Sequence, residues 1–291
     1  MTKHFNYYLL IPIIIVIALM VIGTLYDLQI SLLLYDRDNW FALLGDYIGE
    51  LPIYIMFPFS LSICFVYYRQ FTSAKYIILS FFSVILTFFT LYVCINRFLS
   101  FLPLLVNLIL TLAISFALMY GFHFIKRDTL EKLYHFALIA LVVITLVLVC
   151  NQALKYLWGR YRFHNIYVAN NLARFTPWYL PQGINGNKSF PSGHASSVTT
   201  LFLLVTLYSF FGNKKWVKIL LNTLIAITVA LICLSRVVYG AHYLTDVTMG
   251  FAISFVIFYT VQYYMLKRFN KSTDPRQVNA IKLKKEPTQT N

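Results

Sequence analysis

The stretch FPSGHASSVTTLFLLVTLYSF at residues 190–210 opens with a polar turn and continues as an apolar run. A second polar turn, SRVVYGAHYLTD at residues 235–246, joins two further apolar runs. The two turns hold the only two histidines of the last hundred residues and the only acid between residues 131 and 274. Ionisable groups at the ends of membrane-length apolar runs are costly and usually serve a function. The sequence therefore predicts a helical bundle with its functional site at these two turns.

The composition excludes a soluble globular domain. The chain has 291 residues, of which 59% are hydrophobic and 12% are charged, whereas a soluble domain carries about 25% charged residues. The net charge of +14 comes from short basic clusters between apolar runs and from the C-terminal tail, the places that favour cytoplasmic loops of membrane proteins. We therefore expect an anionic lipid bilayer as the partner of these charges, and not nucleic acid.

Eight apolar runs are long enough to cross a bilayer, for which about 20 helical residues are needed. The first run lacks a small-x-small cleavage site, so we expect a retained anchor and not a removed signal. The expected fold class is all-α, a polytopic transmembrane helical bundle. The predicted spans are residues 7–26, 52–70, 76–96, 101–121, 134–153, 195–211, 217–235 and 243–266.

Loop charges predict the orientation of these spans. Residues 27–50 hold five acids and one base, whereas four other segments are basic: 69–75, 126–132, 214–218 and the tail from 267. With both termini cytoplasmic, eight spans place these four basic segments inside. The basic, acid-free loop 155–193 falls outside, on the side of the two turns, which indicates that it binds an anion. The alternative is a miscounted span, because only a short polar break separates 76–96 from 101–121.

The chain divides into three parts on this basis. Residues 1–133 are expected to form N-terminal spans, with an interfacial amphipathic helix near 28–44 where apolar and charged residues alternate. Residues 134–266 form the core that carries the functional motifs. Residues 267–291 are expected to be a basic cytoplasmic tail, polar and predicted to be disordered from residue 273.

His242 and Asp246 are four residues apart, a spacing that places both on one face of a helix. A carboxylate that accepts a hydrogen bond from one imidazole nitrogen leaves the other nitrogen as a nucleophile or base. Arg236 precedes them at the end of a span, and its guanidinium group suits bidentate binding of phosphate. The alternatives are a solvated helix-end histidine and an interfacial arginine.

The first turn supplies a second histidine. His194 follows Ser192 and Gly193 at the start of a span, where unpaired backbone N–H groups favour an anion and a glycine permits close approach. His194 is then placed to act as a general acid toward a leaving oxygen. The alternative is a simple capping turn with Ser192 as the N-cap.

The loop after residue 153 contributes cations. Lys155 and Arg162 are expected to bind the same anion, whereas Arg160 and Arg174 are interpreted as an interfacial basic flank. The four cysteines lie in or beside apolar runs without metal-ligand spacing, so they are interpreted as packing residues. We expect neither a metal site nor a cofactor.

Three motifs in this order resemble the signature of the type 2 phosphatidic acid phosphatase (PAP2) family, in its integral membrane lipid phosphatase branch. The motifs are Lys155-x6-Arg162, Pro191-Ser192-Gly193-His194, and Ser235-Arg236-x5-His242-x3-Asp246. They cover about a third of the chain. The first motif departs from the family pattern, because Phe163 stands where the family usually has proline; Arg160 is an alternative to Arg162 there.

The resemblance implies a six-helix core, so that two of the eight spans would be additional. It implies that His242 attacks phosphorus and forms a phosphohistidine, that Asp246 orients it, and that His194 protonates the leaving group. It further implies phosphate binding by the residues at five positions, Lys155, Arg162, Ser192, Gly193 and Arg236, without a metal ion. The expected activity is hydrolysis of the terminal phosphate of a membrane lipid phosphate or diphosphate, such as phosphatidate, phosphatidylglycerophosphate, a polyprenyl diphosphate or a lipid A type. The expected place is the extracytoplasmic face of the cell membrane.

Three alternatives remain open from the residues alone. A phosphotransferase would use the same site and pass the phosphoryl group to another lipid or sugar. A transporter of anionic lipid would use the cations without bond cleavage, although no pair of matching broken helices is evident. A metal-dependent phosphatase would rely on Asp36 and Asp38, which have no companion ligand in a matching motif.

Overall fold

The computed structural model describes residues 7–272, so the expected disordered segment 273–291 lies outside the described range. The described residues form helices and no β-strand. The prediction of an all-α bundle is confirmed. The helices are α1 (Tyr7–Leu34), α2 (Trp40–Ile48), α3 (Leu51–Tyr68), α4 (Ala74–Phe98), α5 (Leu104–His123), α6 (Arg127–Trp158), α7 (Phe163–Val168), α8 (Gly193–Thr199), α9 (Leu203–Phe211), α10 (Lys215–Val238) and α11 (Leu244–Ser272).

Within residues 7–272, eight segments are long and apolar enough to cross a membrane, the number that the sequence predicts. Three of them combine two helices each: α2 with α3, α6 with α7, and α8 with α9. The alternative of a miscounted span is not supported, because α4 and α5 are separate helices with a break at residues 99–103. The chain is thus a multi-pass helical membrane protein.

The single interfacial helix predicted near residues 28–44 is wrong in its bounds. Residues 28–34 continue α1, the chain then turns, and α2 begins at Trp40. The turn follows from local chemistry, because the side-chain oxygen of Asn39 accepts a hydrogen bond from the backbone N–H of Phe41 and caps α2. The first span is correspondingly longer than the predicted 7–26.

The core of the bundle lies around α6. Buried side chains of α6, such as Ile139, Val143 and Ile144, pack with residues of α3, α8, α9, α10 and α11. The helices α4 and α5 pack on α3, and α1 packs along α11. Many large apolar side chains of α1, α4 and α5 remain exposed, as expected for surfaces that face lipid.

Four helix ends meet at one end of this core. The C-terminal ends of α6 and α10 adjoin the N-terminal ends of α8 and α11. Backbone hydrogen bonds fasten them together: the N–H of Ser192 donates to the carbonyl of Asp246 at 2.9 Å, and that of Ser189 to the carbonyl of Arg160 at 3.0 Å. The fold therefore brings together both polar turns and the start of the basic loop.

Candidate active site

His194 lies in the first turn of α8 and faces the acidic segment around α2. Its Nε2 atom lies 3.1 Å from the backbone oxygen of Asp46, and its Nδ1 atom lies 3.6 Å from Oε1 of Glu50. The side chain is 8% exposed. Ser192 precedes it as the N-cap and is fully buried; its hydroxyl oxygen accepts a hydrogen bond from the N–H of Ala195 at 3.4 Å. The geometry thus fits the interpretation of Ser192 as the N-cap of α8.

Arg236 occupies the last turn of α10 and is 2% exposed. Its Nη2 atom forms an ion pair with Oδ1 of Asp46 at 2.7 Å, and its guanidinium carbon lies 4.8 Å from the ring centre of Tyr239. Its Nε and Nη1 atoms have no hydrogen-bond partner in the described chain. A buried guanidinium group with two unpaired N–H positions has unused capacity for an anion.

His242 lies in the turn between α10 and α11 and is 2% exposed. The spacing predicts that His242 and Asp246 share one helix face. They do not, because α11 begins only at Leu244, after His242. Its Nδ1 atom lies 2.6 Å from the carbonyl oxygen of Ser189 and 3.8 Å from Oδ2 of Asp246. The hydrogen bond from Nδ1–H therefore goes to the Ser189 carbonyl, which leaves Nε2 with a free lone pair.

Electrostatics keep this imidazole neutral. Burial lowers the pKa of His242 to about 4; Asp246 opposes this shift, and the charges of Lys155 and Arg236 add to it. At neutral pH the ring is therefore uncharged, as a nucleophilic nitrogen must be.

Asp246 is fully buried in the first turn of α11. Its Oδ2 atom accepts hydrogen bonds from the Ser189 hydroxyl at 2.6 Å and from the N–H of Tyr243 at 3.0 Å. Its Oδ1 atom pairs with Nη1 of Arg160 at 2.5 Å. Asp246 thus contacts His242 through Ser189, which binds both residues.

Arg160 is not the interfacial flank that the sequence analysis favours, and that interpretation is wrong. The side chain is 1% exposed and lies between the carboxylates of Asp246 and Asp27, whose Oδ2 atom is 3.0 Å from Nη2. Its guanidinium carbon is 4.0 Å from the ring centre of Tyr243. A buried arginine is stable only with such partners. Arg174, by contrast, is exposed and lies beside the ring of Tyr161.

Lys155 and Gly193 adjoin each other across the α6–α8 contact. A Cβ atom on Gly193 would lie 3.0 Å from Nζ of Lys155, so only glycine lets the lysine reach this point without displacement. Arg162 is exposed at the start of α7, and its charge acts on both Lys155 and Arg236. The five expected phosphate-binding residues and the two histidines therefore gather at one end of the bundle.

Sequence reasoning missed the acidic and amide groups that surround these residues. Asp46 and Glu50 approach His194 from α2 and from the start of α3, and the side-chain amide of Asn151 donates to the Ser196 hydroxyl at 2.8 Å. The signal that points to the two acids is the acid-rich segment 27–50 on the side of the basic loop. No group of three or more potential metal-ligating side chains is found within residues 7–272.

Part of this chain is similar in sequence to known proteins. Residues 136–270 match the model of the PAP2 superfamily. Phosphatidylglycerophosphatase B of Bacillus subtilis strain 168 is 26% identical over 121 residues, which cover 39% of this chain and 58% of that protein. Lipid A 4'-phosphatase of Porphyromonas gingivalis ATCC 33277 is 26% identical over 173 residues, which cover 55% of this chain and 64% of that protein.

The chain thus spans less than two thirds of the length of either relative. No solved structure matches it significantly. The segment matched by the family model contains the residues of all three motifs, from Lys155 to Asp246. The part of the chain that carries the motifs, residues 136–270, is thus similar to the PAP2 superfamily.

Proposed function

We propose that this protein is a membrane phosphatase that removes the terminal phosphate of a lipid phosphate or diphosphate through a phosphohistidine intermediate. The observation that carries the proposal is the buried Arg236, which has two unpaired guanidinium nitrogen atoms and whose charge acts on both histidines. Buried cations with unused hydrogen-bond donors favour an anionic ligand. Asp46 pairs with Nη2 of this arginine, and within residues 7–272 no group accepts a hydrogen bond from Nε or Nη1.

The first chemical step uses the two histidines. Nε2 of neutral His242 attacks phosphorus, and the bond between phosphorus and the leaving oxygen breaks. His194 supplies a proton to that oxygen. Water then attacks phosphorus and gives a proton to His194, and the bond between phosphorus and Nε2 breaks, so that inorganic phosphate leaves and neutral His242 is restored. The hydrogen bond from His242 Nδ1 to the Ser189 carbonyl supports this role, since it orients Nε2 as the free nitrogen.

The cations stabilise the transition state. Charge in phosphoryl transfer spreads over the non-bridging oxygens, so most of the catalytic work is positioning and charge neutralisation. Arg236, Lys155 and Arg162 provide three positive charges for this purpose. Asp46, which pairs with Arg236 here, would exchange that contact for the substrate phosphate.

A cavity supports an amphiphilic substrate. It has a volume of about 310 Å³ and lies between α3, α4, α6 and α8. Of the site residues, Lys155 and Gly193 line the cavity, together with Glu50. Apolar side chains such as Phe57, Phe89 and Val93 line much of the rest. A phosphate beside Lys155 would place an attached hydrocarbon chain among these apolar groups.

The two relatives are named for phosphatases that act on phosphatidylglycerophosphate and on lipid A. Their substrates share a phosphate monoester on a lipid anchor. We assign that shared chemistry to this protein as its substrate class. The apolar cavity favours it over a soluble phosphate ester.

Filling the cavity is expected to lower the activity toward lipid substrates more than the activity toward soluble substrates. Val93→Trp, on α4, should lower kcat/KM for a lipid phosphate about tenfold or more, because the indole ring occupies the space of the hydrocarbon chain. Turnover of a soluble ester such as glycerol 3-phosphate should change less than about twofold. The measurement is phosphate release by purified protein in detergent with chelator, from phosphatidate, phosphatidylglycerophosphate, a polyprenyl diphosphate and glycerol 3-phosphate.

The matched control is Val106→Trp, an exposed position on α5 that does not line the cavity. It should leave both activities unchanged. An equal loss for lipid and soluble substrates in Val93→Trp would contradict the assignment of the cavity to the lipid chain. Absence of phosphate release from every lipid by the wild-type protein would contradict the proposed function itself.

The site is further proposed to face the extracytoplasmic side of the cell membrane. The basic segments 69–75, 126–132 and 214–218 lie at the opposite ends of the spans from the site, as cytoplasmic loops would. Asn171→Cys, at an exposed position in the loop between α7 and α8, should react with a membrane-impermeant maleimide in intact cells. Asn213→Cys, at the other end, should react only after permeabilisation. The reverse labelling pattern would place the site in the cytoplasm.

A further inference from the structure

Asp27 is a buried carboxylate in α1, about two turns before the helix ends at Leu34, and it is 4% exposed. Its Oδ1 atom accepts a hydrogen bond from the N–H of Thr245 at 3.0 Å, and its Oδ2 atom accepts one from the Thr245 hydroxyl. Oδ2 also pairs with Nη2 of Arg160 at 3.0 Å. The backbone N–H of Thr245 and the guanidinium group of Arg160 can only donate, so both oxygens receive at least one hydrogen bond or ion pair that suits an ionised carboxylate.

Arg160 connects this carboxylate to the catalytic end of α11. Its Nη2 atom binds Asp27 and its Nη1 atom binds Asp246, so that one guanidinium group bridges two acids. Its Nε atom donates to the carbonyl of Thr176 at 2.8 Å, and Nη1 also donates to the Thr245 hydroxyl at 2.9 Å. The group is therefore fixed in one orientation, since the two arms of the guanidinium group and Nε are all bound.

The sequence of α1 permits the close approach that places Asp27 next to Arg160. A Cβ atom on Gly23 would lie 2.6 Å from Cγ2 of Thr245, so α1 reaches the start of α11 at the one residue that has no side chain. Asp27 follows one turn later. The indole N–H of Trp178 donates to the Thr24 hydroxyl at 2.8 Å and fastens the long loop to the same helix. All of α1 lies outside the segment matched by the family model.

Asp27 changes the net charge of the buried cluster that it forms with Arg160 and Asp246. Without it, Arg160 would neutralise Asp246, and the pair would carry no net charge next to His242. With it, the two acids and the one arginine carry one net negative charge. When Nε2 of His242 bonds to phosphorus and Nδ1 keeps its proton, the imidazole ring itself becomes positively charged, so the excess negative charge next to Nδ1 stabilises the ring that forms in the attack.

We propose that Asp27, on a helix outside the segment matched by the family model, is a positioning residue that holds Arg160 and maintains the negative charge of the Asp246 cluster for the reaction at His242. The proposal rests on the proposed phosphohistidine chemistry. Asp27 touches no reacting atom; it acts through Arg160 and Asp246. A purely structural role, in which Asp27 only neutralises a buried arginine, makes different predictions.

Asp27→Asn tests this proposal, because it keeps the shape of the side chain and removes its charge. We expect kcat for lipid phosphate to fall about 10- to 100-fold, the range typical of partners that orient a reacting side chain. KM should stay within about threefold, since the phosphate-binding cations are untouched. The control Asp38→Asn removes the same charge at an exposed position and should leave kcat unchanged.

The titration of His242 provides a readout that needs no turnover. The charged or titratable groups acting on this ring are Asp246 on α11, Lys155 on α6 and Arg236 on α10, with His194 on α8 nearby. Burial lowers the pKa of His242 to about 4, and removal of a nearby negative charge lowers it further. NMR of protein with ¹⁵N-labelled histidine should therefore show a smaller protonated fraction of His242 at pH 4 in Asp27→Asn than in the wild type.

The purely structural role of Asp27 predicts a shift of the His242 pKa in the opposite direction. If Asp27 only supports packing, its loss admits water and moves the pKa of His242 up toward the solution value of about 6.5. A titration midpoint that rises or does not change, or a kcat that stays within about threefold of wild type, would overturn the proposal. If the wild-type protein releases no phosphate, the proposed function fails while the titration still decides the link between Asp27 and His242.

Discussion

His242→Ala is expected to lower metal-independent phosphate release by about 10⁴- to 10⁶-fold, the loss typical of removing a catalytic nucleophile. The imidazole is buried in the turn before α11, and its Nδ1–H bond to the Ser189 carbonyl leaves Nε2 as the reactive atom. No other side chain in the described site offers a free nitrogen in the same place. His194 does not replace it, because both of its ring nitrogens face Asp46 and Glu50.

The measurement is phosphate release from a lipid phosphate in detergent with chelator present, together with a quench experiment that traps labelled phosphoprotein. Wild-type protein should carry label, and His242→Ala should carry none. The matched control is His123→Ala, at the exposed end of α5, which should turn over normally. Turnover by His242→Ala within tenfold of the control would show that another group attacks phosphorus.

The spans of this protein were predictable because each apolar run carries its own signal. Only the ends were misplaced, and Asp27 shows why. A charged residue inside an apolar helix is costly, so the first span was predicted to end at residue 26. The ion pair with Arg160 offsets that cost. Arg160 is far from Asp27 in the sequence, and no local pattern links the two residues. The helix therefore continues to Leu34.

The site residues could be found from motif order, whereas their contacts could not. The spacing of His242 and Asp246 suggests a shared helix face, but spacing does not reveal that α11 starts between them. The bond from His242 goes instead to a backbone carbonyl of Ser189, which has no sequence signature. Arg160 and Arg162 are equally basic in the sequence, and only the fold shows that the first is buried and the second is exposed.

Arg160→Met is expected to destabilise the folded protein by about 3–5 kcal/mol, the usual cost of removing one partner from a buried ion pair. Methionine fills much of the space of the arginine stem but binds neither carboxylate. Asp27 and Asp246 would then be buried without a cation, although each keeps its bonds to neighbouring hydroxyl and N–H groups. Unfolding of purified protein by increasing fractions of SDS in mixed micelles measures the change.

A double variant distinguishes two effects of the substitution: the loss of the attraction between Arg160 and the acids, and the cost of burying carboxylates without a cation. Arg160→Met/Asp27→Asn removes one of the two uncompensated acids, so it should be more stable than Arg160→Met alone, even though it carries an additional substitution. Arg174→Met, at an exposed loop position, is the control and should unfold like the wild type. A loss in Arg160→Met no larger than in Arg174→Met would mean that the arginine does not bridge the two acids. Because α1 contributes Asp27 and the matched segment contributes Arg160 and Asp246, a stability gain in the double variant would also show that the first span is energetically part of the catalytic end of the bundle.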